Sequence, residues 1–293
     1  MSTLKNPSPA EARPWVATLV SNERITPPNS PEDVRRLRFS VDSAFNGRVG
    51  QLLRVRAPGQ FGQLWHERLY SIADLEPIDQ RHAGFELLVR RCHVIDEFNG
   101  ERYDGVASNH LCGLPPGGEI KFVGPFGHPF DIPEDRSAGL LMIGMGTGIA
   151  PFRGLVRRIY DELGGWEGPV RLFHGARSGL EMLYQNDENG DLGLYYDQPT
   201  FKAFAALSPR PHFGEPPALE EALLAHAAEI WTMLQHDNTQ LYIAGPESLL
   251  PVVETGFAEA AGSRDTWAAL RARLKTSGRW HEALYSDVEG SNP

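Results

Sequence analysis

The chain has 293 residues, 28 of them Lys or Arg against 38 Asp or Glu, for a formal charge of −10. That length predicts two domains, each able to bury its own core, and 41% hydrophobic with 23% charged residues describes an ordinary globular chain. The acidity argues against a general nucleic-acid binder or an anionic-membrane binder, and a cysteine count of two (Cys92, Cys112) excludes a disulfide framework, a four-thiolate iron–sulfur cluster and a Cys-rich zinc site.

Residues 1–13 read as a loose leader without an apolar signal-peptide region. No run approaches the roughly 18 apolar residues of a membrane span. Leu140–Ile143 comes nearest and is cut short by Gly144, Gly146 and Gly148. No membrane insertion is expected, and a cytoplasmic location is the default. From Trp15 to about Phe130 the pattern is β-like. Leu37, Phe39 and Val41 alternate with Arg36, Arg38 and Ser40, the period of a half-buried strand. Similar short runs are Trp15–Val20, Phe85–Val89 and Glu119–Val123, separated by turn signals such as Pro27-Pro28-Asn29, Asn46-Gly47 and Pro115-Pro116-Gly117-Gly118. This predicts a small antiparallel barrel over residues 14–136.

The polar stretch Asp131–Ser137 marks a domain boundary, and residues 137–293 change character. Strands are predicted at Leu140–Ile143, Val170–Phe173 and Leu241–Ala244, and helices at Phe152–Leu163, Leu219–Gln235 and Glu247–Ala261. Alternating strands and helices predict a doubly wound parallel sheet, so the fold class is β plus α/β.

The strongest local feature is Gly144-Met145-Gly146-Thr147-Gly148-Ile149-Ala150-Pro151, directly after an apolar strand. Glycines there let the backbone approach a ligand, and the next helix start offers free N–H groups to an anion such as a dinucleotide pyrophosphate. Position 149 is Ile, so this is not the usual G-x-G-x-x-G fingerprint, and a plain strand-to-helix turn gives the same text. A second feature is Arg68-Leu69-Tyr70-Ser71: a cation, an aromatic ring and a hydroxyl could serve an anion, a flat ring and a ring nitrogen, though many surface strands carry such residues. A third is Gly105-Val106-Ala107-Ser108-Asn109, followed by Gly124-Pro125-Phe126-Gly127, which reads as a phosphate-binding helix start or as a capped short helix and a turn.

Taken in chain order, Arg68–Ser71, then Gly105–Asn109, then Gly124–Gly127, then Gly144–Pro151, these features resemble the plant-type ferredoxin–NADP reductase family. Later text agrees: Asp237-Asn238-Thr239 before a strand, Gly245 after it, and Lys275, Arg279, Trp280 and Tyr285 near the end. The resemblance runs from about Trp15 to Tyr285. It implies an antiparallel barrel that holds FAD and a doubly wound domain that holds NADP(H). It implies that Arg68 and Ser108 meet the flavin phosphates, with Arg90, Gly105 and Val106 beside the same cofactor. Tyr70 would stack on the flavin, Ser71 bond near its reactive nitrogen, and Tyr285 cover its other face. Gly146, Thr147, Gly148 and Gly245 would serve the nucleotide. Guanidinium suits phosphate, and an aromatic face suits a planar ring.

Five departures stand out. The resemblance implies a thiol at Ala244 and a carboxylate at Ala283, with Glu282 next to the latter as a substitute on the opposite strand face. Cys92-His93-Val94 lacks the expected adenine-stacking Tyr, leaving Tyr103 or Phe98 for that task. Ser208, Arg210 and Arg177 could hold a nucleotide 2′-phosphate, but a Lys and a Tyr implied near Pro216 and Ala218 are missing, so NADPH use with weakened preference over NADH is expected. A tail, Ser286–Pro293, follows the Tyr that usually ends such chains.

The remaining candidates are two. Asp187, Glu188 and Asp191 read as a solvated loop rather than a metal site. Arg264, Arg271, Arg273, Lys275 and Arg279 read either as a solvated helix face or as a docking patch for an acidic carrier near Tyr285. The leading expectation is an FAD enzyme moving electrons between NADPH and a separate ferredoxin or flavodoxin, since the chain lacks cluster cysteines. The alternatives are the reductase component of a multi-protein oxygenase and a catalytically weakened electron-routing subunit. An artificial-acceptor assay separates the last from the others. Residues 1–136 hold 16 basic against 18 acidic side chains and residues 137–293 hold 12 against 20, so the acidity belongs mostly to the nucleotide half.

Overall fold

The computed structural model describes residues 14–60, 62–95, 98–176, 182–184, 192–207 and 218–285. Six strands close a barrel: β1 (Trp15–Arg24), β2 (Val34–Asp42), β3 (Leu52–Pro58), β4 (Trp65–Pro77), β5 (His82–Arg90) and, after a gap, β8 (Glu119–Phe126). Their order is β1-β2-β5-β4-β3-β8, antiparallel throughout. The predicted alternation holds in β2, where Leu37, Phe39 and Val41 are buried. The barrel centre is aromatic: Phe39 stacks on Phe85 at 5.3 Å, and Phe122 meets Phe45 and Phe85 edge-on. Between β5 and β8 come a small ribbon, β6 (His93–Ile95) and β7 (Arg102–Asp104), and a helix, α1 (Val106–Gly113), whose Leu111 and Cys112 join the barrel core.

The chain leaves the barrel at Phe126 and enters a second sheet at Leu140. That sheet is parallel: β9 (Leu140–Met145), β10 (Val170–Ala176), β11 (Phe201–Leu207), β12 (Gln240–Pro246) and β13 (Trp280–Tyr285), in the order β11-β10-β9-β12-β13. Helix α2 (Ala150–Arg157) packs on one face, while α3 (Leu219–Ala225), α4 (Ala227–Gln235), α5 (Leu249–Ala260) and α6 (Arg264–Thr276) cover the other. The first face is shared with the barrel, since Val34, Ala73 and Leu88 join the cluster of Ile149, Phe152 and Leu155.

Two predicted helices differ in detail. The run at 152–163 begins as α2 at Ala150 and finishes in a single wide turn, Arg158–Glu162. The run at 219–235 breaks at His226, whose ring lies 4.0 Å from that of Phe204; this packing holds the residue at φ −112° and divides α3 from α4. Among the described residues no helix is long and apolar enough to cross a membrane.

Candidate active site

The site begins with a mismatch in strand pairing. β4 bonds to β3 from Trp65 to Ser71, but to β5 only from Ile72 onward, with a slip in register before Asp74. β5 meanwhile stays on β2 as far as Arg90. The two strands therefore splay, and residues 65–71 keep one backbone edge open to ligands. A cleft of about 560 Å³ fills the gap. Arg68, Leu69, Tyr70 and Ser71 line it from β4, Arg90 and Cys92 from the end of β5, and Ser108 from α1.

Charge pairing on this wall is uneven. Arg56 on β3 bonds Glu67 at 2.7 Å, Arg54 lies 3.9 Å from the same carboxylate, and Arg90 lies 3.9 Å from Glu32. Arg68 has no ion-pair or hydrogen-bond partner among the described residues, nor has the Ser71 hydroxyl. A half-buried guanidinium and hydroxyl left unbonded in a cleft are suited to an incoming acceptor. Ser108 is 3% exposed and its Oγ accepts the Cys92 N–H at 3.1 Å, so part of its bonding capacity is already used. It stands inside the first turn of α1. Gly105 caps that helix and Val106 opens it, and neither is on the cleft surface.

The facing wall belongs to the parallel sheet. Thr147, Gly148, Ala150 and Pro151 line the cleft from the glycine turn, joined by Glu247, Leu284 and Tyr285. The glycines serve the fold more than the ligand. Gly146 takes φ +57°, and a Cβ on Gly148 would sit 2.2 Å from the Ala244 carbonyl, so Gly148 admits strand β12. Gly245, at φ +150°, lies off the cleft surface and lets β12 pass the end of β9, where a Cβ would come within 3.0 Å of the Met145 carbonyl. These ends are where the strand order reverses, with β10 and β12 on either side of β9, the usual crevice of a doubly wound sheet.

A second cavity of about 340 Å³ opens there, lined by Glu32, Met145, Gly146, Pro246 and Ser248 among others. Arg90, Thr147 and Tyr285 border both cavities. Tyr285 is held at the divide: its hydroxyl accepts from Thr147 Oγ1 at 3.1 Å, and its carbonyl accepts the Glu247 N–H at 2.9 Å.

Several expectations need correction. Glu282 does not reach the cleft; it is exposed, lies three residues back from the strand end, and accepts the Trp280 indole N–H at 2.7 Å. Glu247 is the carboxylate on that wall. Its place just after a parallel strand's C-terminal end was the signal that sequence reading missed. Ala244 and Ala283 are register partners, 1% and 2% exposed, so both departures fall in one buried spot. Most of the basic run stands by the end of β13 away from Tyr285, with Arg271 and Lys275 over the Trp280 ring. It sits on α6 and at the start of β13, a strand of six residues whose far end is about 17 Å away. Arg271 pairs with Glu254, Arg273 with Asp237, and Arg279 is buried, donating to the His236 carbonyl at 2.7 Å. Tyr103 and Phe98 lie on or beside the β6–β7 ribbon, off the cleft surface, with the Tyr103 hydroxyl donating to Glu101 at 2.8 Å. Arg177, Ser208, Arg210, Asp187, Glu188, Asp191 and the tail after Tyr285 lie outside the described residues.

Known proteins share this plan. The family model for oxidoreductase FAD-binding domains matches residues 17–130, and that for oxidoreductase NAD-binding domains matches residues 142–255. The chain is 31% identical to the cyanelle ferredoxin–NADP reductase of Cyanophora paradoxa, across 94% of this chain and 77% of that protein. It is 30% identical to the ferredoxin–NADP reductase of a Spirulina species, across 93% and 95% respectively. The solved structure of the ferredoxin–NADP+ reductase from Plasmodium falciparum has the same fold, with a TM-score of 0.67 at 18% identity over 93% of this chain and 96% of that one.

Proposed function

This chain belongs to the plant-type ferredoxin–NADP reductase family, and we propose that it is an FAD-dependent oxidoreductase carrying electrons between NADPH and a separate ferredoxin or flavodoxin. The observation that carries the reading is the open edge of β4. It presents an Arg68 and a Ser71 without partners among the described residues, across one cleft from a glycine turn and Tyr285. That donor set fits FAD: a cation for phosphate, a ring to cover a ring, a hydroxyl and an unpaired strand edge for the polar rim. When bound, FAD supplies the exchange between two-electron hydride transfer and one-electron transfer.

In this reading Arg68 holds the flavin phosphates, with Ser108 beside them. Tyr70 covers one face of the ring, and Ser71 bonds its reactive edge. Tyr285 stands on the other side, where its ring keeps the two cavities apart until nicotinamide enters. The start of α2 and the Gly146 turn receive the nucleotide, and the protein's contribution is alignment and exclusion of water. Glu247 supplies the carboxylate on that wall. Residues 14–136 form the flavin domain and residues 137–293 the nucleotide domain, a division supported by the passage from barrel to sheet between Phe126 and Leu140. A cytoplasmic location is supported by two free thiols, Cys92 and Cys112.

The test is direct. Purified protein should gain the visible band of oxidised flavin with added FAD, and NADPH should bleach it. A panel of ferredoxins and flavodoxins then identifies the carrier. Protein that stays colourless with FAD refutes the reading. The ratio of kcat/KM for NADPH over NADH should fall below about 10³, roughly 4 kcal/mol.

A further inference from the structure

Three residues beyond Ser71, β4 passes under α2, and the seam between them is built differently from the cleft. Asp74 is 7% exposed, and Arg157 donates to both of its carboxylate oxygens at 3.1 and 3.0 Å. Arg153, 9% exposed, stands 4.0 Å from Asp74 and 3.9 Å from Glu86 on β5, with its guanidinium 5.0 Å over the Tyr184 ring. Between the two arginines, Gly154 brings helix and strand together without side chains. A Cβ there would lie 2.8 Å from the Ala73 carbonyl. The charges flank a backbone-to-backbone contact.

These two elements also carry the facing walls of the cleft. Ser71 and Asp74 share β4, and Pro151, Arg153 and Arg157 share α2, which continues the glycine turn. The Thr147–Tyr285 bond lies wholly within the parallel-sheet half and cannot tie it to the barrel. The Arg48–Asp131 pair is exposed and weakly restraining. The apolar cluster that Ala73 and Leu88 share with Ile149 and its neighbours holds the halves together but sets no direction.

We infer that this seam is a positioning device for hydride transfer, in which Asp74, Arg153 and Arg157, closing on Gly154, set the height of the glycine turn above Ser71. They are positioning residues; none touches the reacting atoms. The inference rests on the proposed reading of the cleft as the meeting place of flavin and nicotinamide. Hydride donor and acceptor must approach to about 3–3.5 Å, and a 1 Å misplacement costs on the order of 100-fold in rate.

The experiment uses full-length protein loaded with FAD. Asp74→Asn and Arg157→Gln should each slow flavin reduction at saturating NADPH by about 10- to 100-fold. FAD content should be retained, KM for NADPH should stay within about threefold, and amides of α2 should exchange faster. The double variant should be no slower than the slower single one, because the pair acts as a unit. Gly154→Ala keeps every charge and adds only the Cβ that lifts α2, so it decides the matter if the charge variants fold poorly, and it should show the same loss. The inference is overturned if Gly154→Ala and the folded charge variants reduce within twofold of the parent, if slowing tracks FAD loss, or if the two deficits multiply. A parent protein that binds FAD but takes no hydride refutes the functional reading instead. Unchanged α2 exchange in Asp74→Asn refutes the seam by itself.

Discussion

Arg68–Ser71 and Ala73–Asp74 lie on one strand, yet the two stretches treat polar groups in opposite ways. At the first, β4 has lost β5, and a guanidinium and a hydroxyl stand in a cleft with no partner among the described residues. At the second, β4 has regained β5 and is covered by α2, and the Asp74 carboxylate meets Arg157 and Arg153. Burial alone does not distinguish a binding group from a structural one. What distinguishes them is whether the protein itself completes the bonding. An unpaired charge is tolerated only where water or a ligand reaches it, whereas a covered one must be paired.

Crossed substitutions should break this contrast if it is wrong. Arg153→Ala leaves Glu86 without its nearest cation, and should cost about 3 kcal/mol in denaturant unfolding of the apoprotein. Arg68→Ala should do the reverse. It should leave apoprotein stability within about 0.5 kcal/mol and weaken FAD binding by about 2 kcal/mol, roughly 30-fold, in a fluorescence titration. Equal stability losses in both variants would erase the distinction.

Two buried titratable groups sharpen it further. Burial pushes Glu86 up to about 7, against the pull of Arg153 and Arg36. Its folded pKa lies above its ordinary value of 4.5, so its contribution is present below pH 4.5 and is lost as pH rises toward 7. Burial drives His174 down to about 3 from 6.5, and neither ring nitrogen has a hydrogen-bond partner among the described residues. Its contribution is present above pH 6.5 and is lost as pH falls toward 3. The two slopes oppose each other between pH 4.5 and 6.5. Glu86→Gln should unmask the histidine, so that stability rises with pH across that window more steeply than in the parent, by up to about 1.4 kcal/mol per pH unit. His174→Leu should tilt the same curve the other way, and should add about 1 kcal/mol at pH 7 by removing two orphaned nitrogens. Thermal melts across the range would read both.

The smallest effects belong to changes of a single polar group at or beside the cleft. Tyr285→Phe removes the hydroxyl that accepts from Thr147, a bond worth about 1 kcal/mol, and should lower kcat/KM for NADPH less than about fivefold. Glu282→Gln should stay within twofold of the parent, while Glu247→Gln should not; the opposite result would return the carboxylate role to Glu282.

Much of this was legible in the chain because local physics wrote it there. The period-two alternation of Leu37, Phe39 and Val41 matched a half-buried strand. The glycine turn followed an apolar strand, and the order of Arg68, Ser108 and Gly146 carried the resemblance that fold and family bear out. Strand β11 was not legible: its alanines at 203, 205 and 206 have weak β-preference, and pairing with β10 from Val170 to Ala176 makes the strand. Nor was the break at His226, which depends on a ring packing against another element.

The sequence by itself determined the two-part architecture and the glycine turn after an apolar strand, because each depends on spacing within a short window, while the residue types suited to flavin were what the family resemblance implied. Only the tertiary structure decided which of those residues are left unbonded. The splay of β4 from β5 frees Arg68, the bond to Trp280 withdraws Glu282, and α6 leaves the basic run at the start of β13, opposite its Tyr285 end. Asp74 and Arg157 are 83 positions apart and meet only because Gly154 lets a helix touch a strand. Periodicity records which face of an element is buried; it does not record which element will cover it, and pairing of charge is settled by that neighbour.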